Sequence, residues 1–202
     1  MRDTYWDEAA ATFDQEPDHG LRDPAVRAAW DARLRAWLPG RPSRVLDLGC
    51  GTGSLSELAV EHGHTVTAID RSEPMVRLAG AKLAGGTTAL AVGDAAHPPV
   101  RAQAFDVLLV RHVLWALPDP RAVLSRWAAL VRPGGRLILV EGCWGESAPT
   151  GIAATELRAM LSSLPDIPPA AIRHDDLTDD PALWGRPVRD ERYALVARTM
   201  TA

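Results

Sequence analysis

The sequence predicts an α/β domain in which a mainly parallel sheet is covered by helices on both faces. Three observations carry that expectation. From Arg44 onward, short apolar runs alternate with helical segments of roughly ten residues, the rhythm of crossover units. The first of these runs passes directly into a glycine turn, Gly49-Cys50-Gly51-Thr52-Gly53-Ser54. The runs are also near-continuously hydrophobic, as strands buried on both faces are.

The elements follow in order. The opening residues mix aromatics with acids and break at Pro17 and Gly20, giving one short helix over 6–12 and then a loop. Pro24 stands at a helix start with Asp23 as its cap, and Val26, Trp30, Leu34 and Leu38 recur at helical spacing until Pro39-Gly40 ends the segment. Arg44–Leu48 is the first strand, followed by the glycine turn and a helix over 55–63. Thr65–Asp70, rich in β-branched residues, is the second strand, and Ser72 caps the helix after it. Thr88–Val92 is a weaker third strand leading into a loop over 93–99. The strongly apolar run 105–110 is the fourth strand; a helix over 118–131 follows, then a tight connection at Pro133-Gly134-Gly135 and a fifth strand over 136–141. Beyond it, 151–165 reads as a helix, 170–175 as a strand, and 192–199 as a final strand running antiparallel at the sheet edge.

With 202 residues, 47% hydrophobic and 24% charged, the chain fits one globular domain. A formal charge of -4 leaves no broad basic footprint for nucleic acid, although Arg22, Arg27, Arg33, Arg35, Arg41 and Arg44 gather near the start. Two cysteines, Cys50 and Cys143, make neither a disulfide framework nor a metal cluster, and no metal is expected. No apolar stretch reaches membrane-spanning length, and the first fifteen residues carry Asp3, Asp7, Glu8 and Asp14 where a signal peptide has its apolar core. A soluble cytoplasmic enzyme without membrane or nucleic-acid partners is the expectation, monomeric or homodimeric.

The glycine turn and two acids carry the chemistry. Gly49, Gly51 and Gly53 permit unusual dihedrals and let a ligand approach the main chain at the carboxyl end of the first strand. Ser54 stands where a dinucleotide fingerprint needs its last small glycine or alanine, and Asp47 at the strand end suits an ammonium better than a pyrophosphate. Both disfavour a dehydrogenase. Asp70, ending the second strand, can accept both hydroxyls of a ribose or cap the next helix. Asp94 can accept from an exocyclic adenine amine, with Ala95 leaving room for the ring, or serve as an exposed loop acid.

Taken together these segments resemble the class I methyltransferases that use S-adenosylmethionine. The stretch VLDLGCGTGSLS resembles the family's first motif, Ile69-Asp70 its ribose-binding acid, and Gly93-Asp94-Ala95 its adenine motif. FDVLLVRHVLWALPDP and LVRPGGRLILVE are similar to the later motifs of its small-molecule branch. The resemblance implies a Rossmann-like seven-stranded sheet in the order 3-2-1-4-5-7-6 with the last strand antiparallel, and methyl transfer that leaves S-adenosylhomocysteine. It divides the chain into an N-terminal helical lid over 1–40, a cofactor-binding core over 41–142 and a C-terminal part over 143–202. The cofactor set it implies is Asp47, Gly49, Cys50, Gly51, Gly53, Asp70, Arg71, Met75, Gly93, Asp94, Ala95, Arg111 and Trp115.

The acceptor side is less defined. His112, just after the fourth strand, is the candidate general base, with cofactor orientation or loop capping as its other readings. Tyr5, Trp6 and Phe13 are expected either to cover cofactor or acceptor from the N-terminal segment or to anchor that segment to the domain, with His19 beside the acceptor and Trp115, Glu141 and Trp144 lining its pocket. RHVLW stands where amino-directed nucleic-acid methyltransferases carry their own signature, which points to a small-molecule acceptor with an O, N, S or C nucleophile. A protein or peptide acceptor, and a noncatalytic cofactor-binding subunit of a partner enzyme, are the alternatives.

Overall fold

A computed structural model describes residues 4–145 and 150–201. The chain runs α1 (Tyr5–Phe13), α2 (Pro17–Gly20), α3 (Pro24–Trp37), β1 (Arg44–Leu48), α4 (Ser54–Glu61), β2 (Thr65–Asp70), α5 (Glu73–Lys82), β3 (Thr88–Val92) and β4 (Phe105–Arg111). It continues through a 3-10 turn (Leu114–Ala116), α6 (Pro120–Leu130), β5 (Val131–Trp144), β6 (Thr150–Gly151), α7 (Ala154–Ser162), β7 (Ile172–Asp176), α8 (Pro181–Trp184) and β8 (Glu191–Arg198).

The sheet order is β3-β2-β1-β4-β5-β8-β7, with the two-residue β6 paired to the end of β5. The β1–β2, β1–β4, β2–β3 and β4–β5 pairings are parallel, whereas β8 is antiparallel to both β5 and β7. With β6 set aside, this is the expected 3-2-1-4-5-7-6 order. The final strand does run antiparallel, but it lies inside the sheet, and β7 is the edge. Its burial explains the placement: Arg192 through Ala197 are all buried, more than an edge strand requires.

The continuous apolar runs follow from two covered faces. On β1 and β4, Leu46, Leu48, Leu108 and Val110 join the core beneath α6 and α7, while Val45, Val107 and Leu109 join the core beneath α3, α4 and α8. Alternate residues serve opposite cores, so neither set can be polar. In α3, Asp23 accepts from the backbone N–H groups of Ala25 (2.7 Å) and Val26 (3.2 Å), and Trp30 donates its indole N–H to the Leu183 carbonyl, docking α3 on α8. The helix stops at Trp37, with Leu38 buried in extended conformation.

Three expectations change. Pro17–Gly20 and Pro181–Trp184 are short helices, too brief to show a periodic apolar stripe. Pro133-Gly134-Gly135 lies within β5: pairing with β4 runs Phe105–Val131 and then Val107–Arg136, so residues 132–135 form an irregularity in one strand, with Gly134 at φ +76°. Four of the early arginines are taken up in separate ion pairs. Arg27 pairs with Glu57 and Glu61, Arg33 with Asp180, Arg35 with Asp31, and Arg41 reaches Asp106 at 3.7 Å. Among the described residues, no helix is long and apolar enough to cross a membrane.

Candidate functional site

The glycine turn is built by backbone demand. Gly49, Gly51 and Gly53 have φ of +68°, +55° and +83°, conformations that L side chains resist. A Cβ on Gly49 would stand 2.3 Å from Val113 Cγ2. The N–H groups of Gly49 and Cys50 both donate to the Ile69 carbonyl, at 2.8 and 3.1 Å, tying the turn to the end of β2. Gly53 serves a different end: its missing Cβ lets Ala79 and Leu83 of the α5 region pack against the start of α4.

Three carboxylates stand at the carboxyl ends of neighbouring strands. Asp70 Oδ2 accepts from the Gly51 N–H (2.8 Å) and Oδ1 from the Ser72 N–H (2.9 Å). Burial raises its pKa, and these backbone donors oppose the rise. Asp47 is buried in β1 and accepts from Ser56 Oγ at 2.6 Å; burial, against that hydrogen bond, pushes its carboxyl up to about 6. Asp94, after β3, is more open. Slight burial raises its pKa, but the Ala96 N–H and His97 outweigh that and leave it below the usual carboxylate range. The Trp127 indole N–H donates to the Ala95 carbonyl at 2.8 Å and fixes the loop from behind.

The end of β4 supplies the opposite wall. Arg111 donates to the Asp18 carbonyl, with its guanidinium 5.0 Å from the Trp30 ring centroid. His112 has φ +57° and donates its N–H to the Val140 carbonyl at 2.9 Å. Its ring lies flat against Trp184 (6.0 Å between centroids) and edge-on to Trp144 (5.0 Å), and its Nε2 is buried without a partner. Burial, with Arg111, Arg192 and His19 nearby, holds this imidazole well below its ordinary pKa, so it is neutral at physiological pH. The Trp115 indole N–H donates to the His112 carbonyl at 3.0 Å.

The N-terminal segment closes over the turn. Phe13 Cε1 comes within 3.2 Å of a Cβ built on Gly51, and the Phe13 ring stacks on His19 at 4.2 Å. Asp14 holds this position: its carboxylate meets Lys82 Nζ at 3.0 Å and accepts from Thr52 Oγ1, while Lys82 also donates to Thr52 Oγ1 and Ser54 Oγ.

These parts enclose a cavity of about 340 Å³, within the range of about 300–1,000 Å³ usual for small-ligand sites. Asp47, Gly49, Cys50, Gly51, Asp70 and Arg71 line it, as do Met75, Asp94 and Ala95. Arg111, His112, Trp115 and Trp144 complete the wall from β4 and β5, and Trp6, Phe13 and His19 from the N-terminal segment. The structure therefore gathers most of the residues expected from sequence.

Four expected residues stand off the wall. Gly53 and Gly93 are packing positions, the latter against Ile69 and Pro99. Tyr5 is 48% exposed and meets only the edge of Trp6 among the ring contacts. Glu141 is fully buried behind the wall, where one oxygen accepts from the Val113 and Leu114 N–H groups. Its expected place in the acceptor pocket is corrected accordingly: side chains alternate along β5, and position 141 faces the core. Asp14 is taken up by Lys82, and His19 Nε2 lies 3.7 Å from Asp18.

Sequence reading missed Leu55, Val113, Ala116 and Leu117 on the wall. They are apolar and carry no motif signal beyond their place next to the glycine turn and His112. Cys50 lines the cavity, but burial and the adjacent Asp47 and Asp70 raise its thiol pKa well above normal, leaving it a poor nucleophile.

Residues 46–139 match the family model described as "Methyltransferase domain". A nocamycin O-methyltransferase of Saccharothrix syringae is 41% identical over 99 residues, covering 46% of this chain and 35% of the relative. A ubiquinone biosynthesis O-methyltransferase of Xanthomonas campestris pv. campestris is 36% identical over 145 residues, covering 69% of this chain and 56% of the relative. The chain thus spans about a third to just over half the length of these curated relatives. In solved structures, the fold recurs in the 1,6-didemethyltoxoflavin-N1-methyltransferase of Burkholderia thailandensis, determined with 1,6-didemethyltoxoflavin and S-adenosylhomocysteine bound. That match has a TM-score of 0.67 at 22% identity and covers 96% of this chain and 87% of that one.

Proposed function

We propose that the chain is a class I S-adenosylmethionine-dependent methyltransferase, which binds S-adenosylmethionine at the ends of β1–β3 and methylates a small molecule held against β4, β5 and the N-terminal segment. The observation that carries this reading is the placement of Asp47, Asp70 and Asp94 around one cavity, over a glycine turn where a Cβ on Gly49 has no room.

The residues fit the cofactor group by group. Asp70 accepts the Gly51 N–H on one oxygen and the Ser72 N–H on the other, with the Arg71 N–H also turned to it, and its carboxylate keeps acceptor capacity for the ribose hydroxyls. Asp47, largely ionised above its pKa of about 6, suits the cofactor's ammonium. Asp94 keeps acceptor capacity for the adenine amine, and Ala95 leaves space for the ring. When bound, the cofactor supplies a methyl group activated on a sulfonium.

The chain's own contribution is then positioning and exclusion of water. Trp115 and Trp144, in edge contact with centroids 5.6 Å apart, give the acceptor a rigid aromatic wall, while Phe13 and Trp6 cover it from the N-terminal side. We read the N-terminal segment, from residue 4 among the described residues, as the cover of the site, held down by the Asp14–Lys82 pair. The same cavity is lined by His112, Trp115, Trp144, Trp6 and Phe13 beside the carboxylates, which supports catalysis over a noncatalytic cofactor-binding role.

Calorimetry with S-adenosylhomocysteine, S-adenosylmethionine and NAD tests the reading. The first two are expected to bind, and Asp70→Ala to weaken both at least about tenfold by removing two hydroxyl partners. Binding of NAD with no uptake of either sulfur compound would overturn it.

A further inference from the structure

We propose that the acceptor is a planar ring bearing an acidic hydroxyl, a phenol or cyclic enol, taken up as its oxyanion. The inference rests on the methyl-transfer reading and narrows the acceptor within it. Charge divides along the cavity. Its three carboxylates, Asp47, Asp70 and Asp94, stand on β1, on β2 and after β3, at one side of the sheet order. The half formed by β4, β5 and the N-terminal segment is lined by indole and phenyl rings, with Arg111, His19 and His112 as its charged or titratable groups. No carboxylate among the described residues lines that half.

Further charges stand behind the wall. Arg192 places its guanidinium 5.1 Å from the Trp144 ring and 5.6 Å from the Trp184 ring. Asp18 faces both Arg111 and Arg192; Arg111 also faces Asp47 and Asp14. Asp190 lies 3.4 Å from Arg192 on its more exposed side. Glu141 is sealed beneath the 113–114 backbone, and burial raises its carboxyl to about 8, so it is mainly uncharged at neutral pH.

An aliphatic amine suits this half poorly. It arrives from water as an ammonium, must lose a proton to expose its lone pair, and leaves methylated as an ammonium again. Both charged forms would meet Arg111 on a wall that carries no carboxylate of its own. A ring oxyanion meets the opposite field. Its hydroxyl proton has already passed to solvent; an oxygen lone pair forms the O–CH3 bond, the CH3–S bond breaks, and its electron pair goes to sulfur. Oxyanion and sulfonium become neutral ether and thioether together. Apolar walls favour such a charge-cancelling step, because separated ions need water more than the charge-dispersed transition state does. Trp115 and Trp144, which meet edge-on and both line the cavity, supply the aromatic surface against which a flat ring packs.

The test uses 4-nitrophenol, whose ionisation is visible by absorbance, with the protein saturated by S-adenosylhomocysteine. Saturable binding is expected, with the bound probe ionising about one pH unit or more below the free probe. Trp144→Leu should weaken binding at least about tenfold, and Arg192→Gln should shrink the ionisation shift, with S-adenosylhomocysteine affinity confirming that each variant is folded. If the wild-type protein binds S-adenosylhomocysteine but not 4-nitrophenol, or binds it with ionisation unchanged or raised, the oxyanion proposal is overturned. If S-adenosylhomocysteine itself does not bind, the methyl-transfer reading falls first.

Discussion

A single oxygen of Glu141 accepts the backbone N–H of Leu114 at 2.8 Å, and the same atom takes the Val113 N–H at 3.0 Å. One buried carboxyl on β5 thereby shapes the turn that carries His112 and Trp115 to the cavity. Glu141 is a positioning residue that touches no ligand space.

Its protonation has a consequence for stability. Burial lifts the carboxyl from its ordinary 4.5 to about 8, so the folded state holds the proton more tightly than the unfolded chain. The stabilisation is complete below about 4.5 and is lost as pH rises through about 8. Urea unfolding across that window should show wild-type stability falling, and Glu141→Gln, which keeps the accepting carbonyl, should flatten the slope. Glu141→Ala should cost about 2–4 kcal/mol by stranding two buried N–H groups. An equal pH slope in wild type and Gln variant would contradict the assignment.

Gly49 and Val113 make a second, separable prediction. Gly49→Ala introduces a Cβ at φ +68° and places it 2.3 Å from Val113 Cγ2. Backbone strain of about 1–2 kcal/mol and overpacking of about 1–3 kcal/mol should both appear in thermal unfolding. Adding Val113→Ala should recover the overpacking part and leave the strain. No recovery in the double variant would show that the two positions do not meet.

The fold was legible because each central strand serves two apolar cores, and because Asp23, Ser72 and the glycines at 49, 51 and 53 punctuate the chain by backbone chemistry that sequence displays. Most of the cavity wall at β1–β3 was legible for the same reason, since the glycine turn and the acids stand at or just after strand ends that sequence displays. What escaped depends on contacts between distant segments. Glu141 reads as a strand-end acid, and only the fold shows its oxygen beneath the 113–114 backbone. The Asp14–Lys82 pair joins residues on α1's end and α5, while Leu117 and Val113 line the cavity with no chemical signature at all.

Asp47 gives the cofactor site its pH dependence. Its carboxyl titrates near 6, so acidification from pH 7.5 to 5 removes the charge proposed to hold the cofactor's ammonium. Affinity for S-adenosylhomocysteine should fall about tenfold over that range. Asp47→Asn should bind weakly at both pH values. An affinity insensitive to pH in the wild type would detach Asp47 from that role.

The N-terminal cover should depend on Asp14. Asp14→Asn leaves Lys82 without its 3.0 Å partner and weakens the contact to Thr52. A loss of about 1 kcal/mol is expected for this partly buried pair. Hydrogen exchange should rise in Tyr5–Phe13, and S-adenosylhomocysteine should dissociate faster, with β1 and β4 protection unchanged. Equal exchange in α1 of the variant and the wild type would show that the latch lies elsewhere.

His112 poses the sharpest mechanistic choice. Its φ of +57° makes alanine or glutamine an ambiguous replacement, because either disturbs the backbone; asparagine tolerates the left-handed region and is the better probe. The imidazole pKa is held well below 6.5, so wild-type turnover should show no loss from His112 protonation between pH 8 and 6.5. A base this weak matters only where the acceptor must still give up a proton. His112→Asn should therefore slow a weakly acidic phenol about a hundredfold and an already ionised one less than about tenfold. Equal loss with both acceptors would assign the ring to positioning, wedged as it is between Trp184 and Trp144, and not to proton transfer.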